Sequence, residues 1–319
     1  MIRELTVDNL EAALDLVLSA YQEERDHLPI LPNPNDLISI VKPKIHRMIL
    51  QKMTFGASTQ GRLLGFLGGY PVETLFGALP GIYCPLYGYA VRKDNRGSIE
   101  SDLYTHAAHH WVQDGSLSQA LTLYARDHRT VQNWFWFGFG LRCVDSIRAV
   151  EAIPTTPSIT IRNVGLDDIP TLRHIHCAHT QYYNKSPLFM PTQEEDPVQD
   201  LLDWMQHDNH HLWMALDGTE PKGYMRIQPS GESFISDHPS MMNITGAFVS
   251  EDFRGKGVGT QLLAEIQKWL SDHNYSLCGV DFESFNPFGR SFWNQYFIPY
   301  TFSVVRRIDE RIISRGPFC

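Results

Sequence analysis

The chain has 319 residues, a length that suits two domains better than one core, and 43% of them are apolar. It carries a net charge of −9 with a pI of about 5.8 and no run of Lys or Arg, which argues against nucleic acid or an anionic membrane as partner. No stretch approaches the roughly 18 uninterrupted apolar residues of a membrane helix. The opening Met1-Ile2-Arg3-Glu4 leads into no secretory apolar region, and the five cysteines, at 84, 143, 177, 278 and 319, are too scattered for a disulfide framework. A reducing, cytoplasmic setting is therefore expected.

The elements repeat along the chain. Gly88-Tyr89-Ala90-Val91 returns 158 positions later as Gly246-Ala247-Phe248-Val249, and the same offset carries Gly65 to Gly223, Arg96-Gly97 to Arg254-Gly255, Trp111 to Trp269, Phe139 to Phe297 and Arg148 to Arg306. Upstream the offset becomes 159, taking Ile2-Arg3 to Ile161-Arg162 and Pro32 to Pro191. The segment Glu151 to Ser158 carries two prolines and no strand or helix period, so it reads as a linker between domains at 1–150 and 159–319.

In chain order the second copy predicts a short strand at Ile161-Arg162 and then a helix capped by Asp167 or Asp168. A strand pair follows, His211 to Leu216 and Gly223 to Ile227, joined through Asp217-Gly218. A strand from Asn243 to Val249 runs into a glycine-rich turn. The helix after the turn has Leu262, Leu263, Ile266, Trp269 and Leu270 at helical spacing. A strand from Leu277 to Phe282, a short helix around Gly289 to Tyr296 and a closing strand from Phe302 to Ile308 complete it. The fold class is α/β: two tandem domains, each a mixed twisted sheet flanked by helices.

The turn Arg254-Gly255-Lys256-Gly257-Val258-Gly259-Thr260 lies between a strand and an amphipathic helix. Glycines there permit positive φ and close backbone approach, and a helix N-terminus favours an anion such as a diphosphate. Arg254 and Lys256 add cationic charge at the rim. The spacing fits neither a Walker loop nor a dinucleotide fingerprint.

This segment resembles the Gln/Arg-x-x-Gly-x-Gly/Ala motif of the GNAT acetyltransferase superfamily, and Asn286 to Phe297 resembles that family's second hallmark, an Asn followed about ten residues later by Gly-Phe. Tyr296 stands where the family has a glycine. A tandem layout with one degenerate copy is similar to that of mycothiol synthases, with no motif here that fixes their substrate. The resemblance implies acetyl-CoA as acyl donor and a primary amine of a small molecule or peptide as acceptor. It implies that Ala247, Phe248 and Val249 pair with the pantetheine arm, that Gly255 to Thr260 hold the diphosphate, and that Asn286 bonds the cofactor. A backbone N–H near Val249 would face the reacting carbonyl between two splayed strands.

Two carboxylates, Asp281 and Glu283, share a strand face beside that gap and are the candidate bases. Each has a plain alternative as a turn cap or a partner of Arg290. Trp293 occupies the position where the family places an acidic Tyr, so Tyr296 and Tyr300 are the nearby candidate proton donors. His174, His176 and His179 lie on the first helix of this copy without the partners of a metal centre, and no metal is expected. Tyr182, Tyr183 and Phe189 follow, as acceptor-pocket lining or as core. In the first copy the loop reads Arg96-Gly97-Ser98-Ile99-Glu100-Ser101. A β-branched Ile99 and an acidic Glu100 are ill-suited to a diphosphate, so this copy is expected to have lost cofactor binding and to pack as an intramolecular pseudo-dimer. The other reading is a non-catalytic module that binds acetyl-CoA or CoA.

Overall fold

The computed structural model describes residues 1–191 and 196–315; Cys319 lies outside them. The chain forms two compact units, Met1–Asp145 with Ser233–His238 and Pro299–Cys319, and Ser146–Glu232 with Pro239–Ile298.

The first unit opens with β1 (Ile2–Glu4), α1 (Leu10–His27) and α2 (Pro34–Ile49). The start of α2 is fixed locally. Asn33 accepts the Asn35 N–H at 3.0 Å, and Pro34 fills the first helical position, where no donor is needed. Then come β2 (Thr54–Thr59), β3 (Arg62–Gly68), β4 (Tyr70–Val72), β5 (Gly81–Cys84), β6 (Tyr89–Val91), α3 (Ser98–Gln113), β7 (Ser118–Tyr124), α4 (His128–Trp136) and β8 (Gly140–Ala149). Strands order as β1-β2-β3-β6 and as β4-β5-β7. Phe55, Leu67, Ile82, Leu103, Trp111, Leu121 and Trp134 fill the core against α3 and α4.

The second unit runs β9 (Thr160–Asn163), α5 (Arg173–Asn184), α6 (Pro197–Met205), β10 (His211–Asp217), β11 (Glu220–Gln228), β12 (Met241–Val249), α7 (Val258–Asp272), β13 (Leu277–Glu283) and α8 (Pro287–Tyr296), before the chain leaves through β14 (Ile298–Arg307). Its strand order is β8-β13-β12-β11-β10-β9, with β12 and β13 parallel and β9 to β12 antiparallel. The expected face of α7 is the buried one: Leu262, Leu263, Ile266 and Leu270 have no exposed surface.

The compact units are a different division from the repeat boundary expected at 150/159. β14 pairs with β7 from Thr301↔Tyr124 to Arg307↔Ser118, and Val304 lies in the first core, so the last strand of the second repeat belongs to the first unit. The end of β8 from Ser146 belongs to the second unit, where Val150 donates to the Ser276 carbonyl at 2.9 Å. Next, the helix expected at 167–168 begins as a 3-10 turn, Leu166–Leu172, and becomes α-helical at Arg173. Pro170 has no N–H to give an α ladder. Asp168 instead binds the Gly165 N–H at 2.9 Å and pairs with Arg162. Finally, the strand equivalent to β12 is broken in the first unit into β5 and β6 by a 3-10 turn, Leu86–Gly88, after Pro85.

Candidate active site

Two neighbouring strands part in the second unit. β12 pairs with β13 from Met241↔Leu277 to Ile244↔Val280 and no further. β12 nevertheless continues to Val249, held on its other edge by β11 through Met225↔Ala247, Tyr224↔Phe248 and Gly223↔Val249. The register with β11 shifts between Ile244 and Gly246, which leaves Thr245 as an extra residue at the parting point. A cavity of about 510 Å³ opens in the gap, with Thr245 to Val249 on one wall and Val280 to Glu283 on the other.

The N-terminus of α7 forms one end of this cavity. Gly257 sits ahead of the helix at φ 79°, and no side chain caps the helix. The first helical bond is Gln261 N–H to Gly257 at 3.0 Å, so the amides of Val258, Gly259 and Thr260 are not used by the ladder. A Cβ at Gly255 would meet nothing within 4 Å. Gly259 has a packing role as well. A Cβ there would approach Phe292 at 3.2 Å, so its smallness lets α7 pack on α8. Unspent amides, open space and a helix dipole together fit an anion of diphosphate size.

Arg254 is not extended at a rim. Its Nε donates to the Val249 carbonyl at 3.1 Å, and its guanidinium lies over Tyr182, Phe288 and Phe248 at 4.8, 5.0 and 5.5 Å. Three aromatic faces hold the charge beside the cavity. Lys256 does not line it; its ammonium lies 4.9 Å from the Phe253 ring. Asn286 lines the cavity, but its Oδ1 accepts from Gly289 N–H at 3.2 Å and from the Tyr182 hydroxyl at 2.8 Å. It caps α8, which leaves its amide nitrogen for a ligand.

Asp281 and Glu283 both line the cavity. Tyr296, an expected proton donor, is not among the residues that line it. It sits at the C-terminal end of α8, with its hydroxyl 2.9 Å from Thr260 Oγ1 and its ring against Phe292, where it ties α8 to α7. Trp293 is buried in the cavity wall. Tyr182 and Tyr183 line the cavity, whereas Phe189 is 70% exposed and does not.

Sequence reasoning weighed His179 only as a metal ligand and passed over Tyr224; both line the same cavity. Burial and the nearby charges of His176, Arg226 and Arg254 push the His179 pKa down to about 3, so its ring is neutral. His176 and His179 stand three residues apart on one face of α5, the one signal of this cluster in the sequence. Their shared partner, Tyr224, comes from a strand 45 residues further on.

The corresponding place in the first unit is filled. A cavity of about 20 Å³ remains there, lined by Tyr89, Val91, Arg96 and Thr130 among others. α3 starts after Gly97, and the Glu100 carboxylate accepts the Gly97 N–H at 2.8 Å, the Thr130 hydroxyl at 3.0 Å, the Asn133 amide and the Tyr89 hydroxyl. An internal carboxylate, fully buried, occupies the anion position at this helix end.

Among the described residues, no group of three or more His, Cys, Asp or Glu side chains could hold a metal ion, and no helix is long and apolar enough to cross a membrane.

The sequence from 178 to 295 matches the model of the acetyltransferase (GNAT) family. No curated protein matches the chain. The fold is shared with a GCN5-related N-acetyltransferase from Sphaerobacter thermophilus, at 13% identity and a TM-score of 0.63, over 96% of this chain and 95% of that one. It is also shared with a GCN5-related glucosamine N-acetyltransferase region of a fungal multi-domain GH3 β-N-acetylglucosaminidase, at 13% identity and a TM-score of 0.58, where 96% of this chain matches 38% of the other. The family match runs from α5 through the parted strands to α8.

Proposed function

We propose that the second unit transfers an acetyl group from acetyl-CoA to a primary amine of a small molecule or peptide. The observation that carries this reading is the parting of β12 from β13 after Ile244 and Val280, beside an uncapped α7 N-terminus and two carboxylates. Acetyl-CoA supplies an acyl thioester, an electrophilic carbonyl with a good leaving group.

The chain's own residues divide the remaining work. Val258 to Thr260 offer amides to a diphosphate, and Arg254 places a fixed positive charge near by. Ala247 to Val249 present a strand edge that β13 does not pair, so backbone donors and acceptors are available to an extended amide-containing arm. The same edge, in a gap lined by Phe248, Phe282 and Trp293, offers hydrogen-bond donors to a carbonyl oxygen that gains charge. Asp281 and Glu283, on the opposite wall, hold a cationic acceptor and take a proton from it.

The test is release of CoA thiol by the full chain over a panel of amines, small and peptidic. Turnover on at least one amine is expected, with the acetyl group recovered on nitrogen by mass spectrometry. Tight acetyl-CoA binding without turnover on any amine would favour the non-catalytic binding module instead.

A further inference from the structure

Four side chains form a hydrogen-bonded chain from the surface to the cavity. Asp200 of α6, 41% exposed, lies 3.1 Å from Nε2 of His176. Nδ1 of His176 lies 2.9 Å from the Tyr224 hydroxyl, and that hydroxyl lies 2.7 Å from Nδ1 of His179. His179 lines the cavity, its ring stacked on Phe248 at 5.1 Å, and its Nε2 bonds to no described residue.

The protons along this chain are not free to choose. A carboxylate only accepts, so His176 must carry its proton on Nε2. Burial lowers the His176 pKa and keeps that ring neutral, which leaves its Nδ1 bare to accept the Tyr224 proton. Burial also holds the Tyr224 phenol protonated. Its single proton is then spent on His176, and its oxygen must accept from Nδ1–H of His179. A neutral His179 with its proton on Nδ1 has a lone pair on Nε2. The groups that face this ring are His176 and Tyr183 on its own helix, Tyr224 and Arg226 on β11, Phe248 on β12 and Arg254 after it.

We infer that His179 orients the acceptor in the acyl-transfer site, its Nε2 lone pair, set by Asp200 through His176 and Tyr224, accepting a hydrogen bond from the acceptor N–H. The inference rests on the acyl-transfer reading. A ring held neutral by burial and by the charges around it accepts that hydrogen bond without taking the proton, which leaves to the β13 carboxylates and water, so the amine lone pair is turned towards the thioester carbonyl. Asp200, His176 and Tyr224 are positioning residues in this scheme.

Two measurements on the full chain test it. The first needs no substrate. Imidazole ¹⁵N shifts should show His179 bare at Nε2 and protonated at Nδ1, and Asp200→Asn should reverse or mix that tautomer, as an amide for carboxylate exchange does in hydrolase triads. A wild-type ring protonated at Nε2 overturns the inference. The second is kinetic. His179→Gln and Asp200→Asn should each lower kcat/KM for the amine by about tenfold or more, with acetyl-CoA affinity by calorimetry unchanged. Asp200 is half-exposed, so its variant also covers the case in which His179→Gln fails to fold. Wild-type turnover that persists in both variants overturns this inference alone. No wild-type turnover on any amine overturns the acyl-transfer reading and this inference with it.

Discussion

At the scale of single residues, the site depends on amides, charges and protons whose places are set locally. Gly257 holds φ 79°, a left-handed conformation that a β-branched residue resists, and its position fixes the direction of the α7 amides. Gly257→Val should weaken acetyl-CoA binding at least tenfold, about 1.4 kcal/mol, in a folded protein. Unchanged affinity by calorimetry would remove the loop from the site. On the carboxylate wall, Asp281→Asn or Glu283→Gln should lower kcat/KM by roughly 10²–10⁴-fold at neutral pH, with part of the loss restored at high pH, where more acceptor arrives as free amine. If both single variants and the double variant keep wild-type rates and pH profile, neither carboxylate is a base. His179 makes a prediction about stability. Its folded pKa, about 3, lies below the ordinary value of 6.5, so the unfolded chain binds more protons between those limits. Its neutral ring costs nothing above pH 6.5, and stability falls as the pH drops from there towards 3. His179→Gln should flatten that acid limb in denaturant titrations; an identical limb would mean that the ring is not held neutral.

At the scale of elements, most of the site was legible because it is local. The glycine turn, the strand before it and the apolar face of α7 are written within about thirty residues, and each was found where expected. A difference at the first copy's helix end was legible too, in Ile99 and Glu100. The partners of Glu100 were less so. Only the fold brings Tyr89, Thr130 and Asn133 to the same carboxylate, from β6 and α4. The sequence reading also put a helix start at Asp167-Asp168 and a proton donor at Tyr296. Pro170 decided the first against an α ladder, whereas Tyr296 lies outside the cavity lining with its hydroxyl 2.9 Å from Thr260 Oγ1. The filled α3 terminus predicts a binding stoichiometry of one acetyl-CoA per chain. Glu100→Ala should not create a second site. It should destabilise the first unit by about 3 kcal/mol or more, because it orphans four donors in a buried network. A titration that gives two sites in the wild type would contradict the reading of this helix end.

At the scale of the whole chain, the repeat and the compact units are different divisions. A repeat is read from sequence register, but β8 and β14 are equivalent strands with equivalent patterns, so either copy's β7-like strand is an acceptable partner for either. Pairing of β14 with β7 is a long-range choice that periodicity does not record. A chain ending at Ile298 should therefore keep every cavity residue and still lose stability in the first unit, with a midpoint lower by more than about 5 °C and faster hydrogen exchange at Ser118–Tyr124. Undiminished protection of β7 would show that β14 is dispensable there. The central claim is that the gap between β12 and β13 is the acetyl-CoA site and that its equivalent in the first unit is closed. A crystal structure of the full chain with CoA tests it most directly. The account predicts one CoA, with its diphosphate on the amides of Val258 to Thr260 and its arm along Ala247 to Val249. CoA bound at the α3 terminus, or anywhere outside the gap, would contradict it.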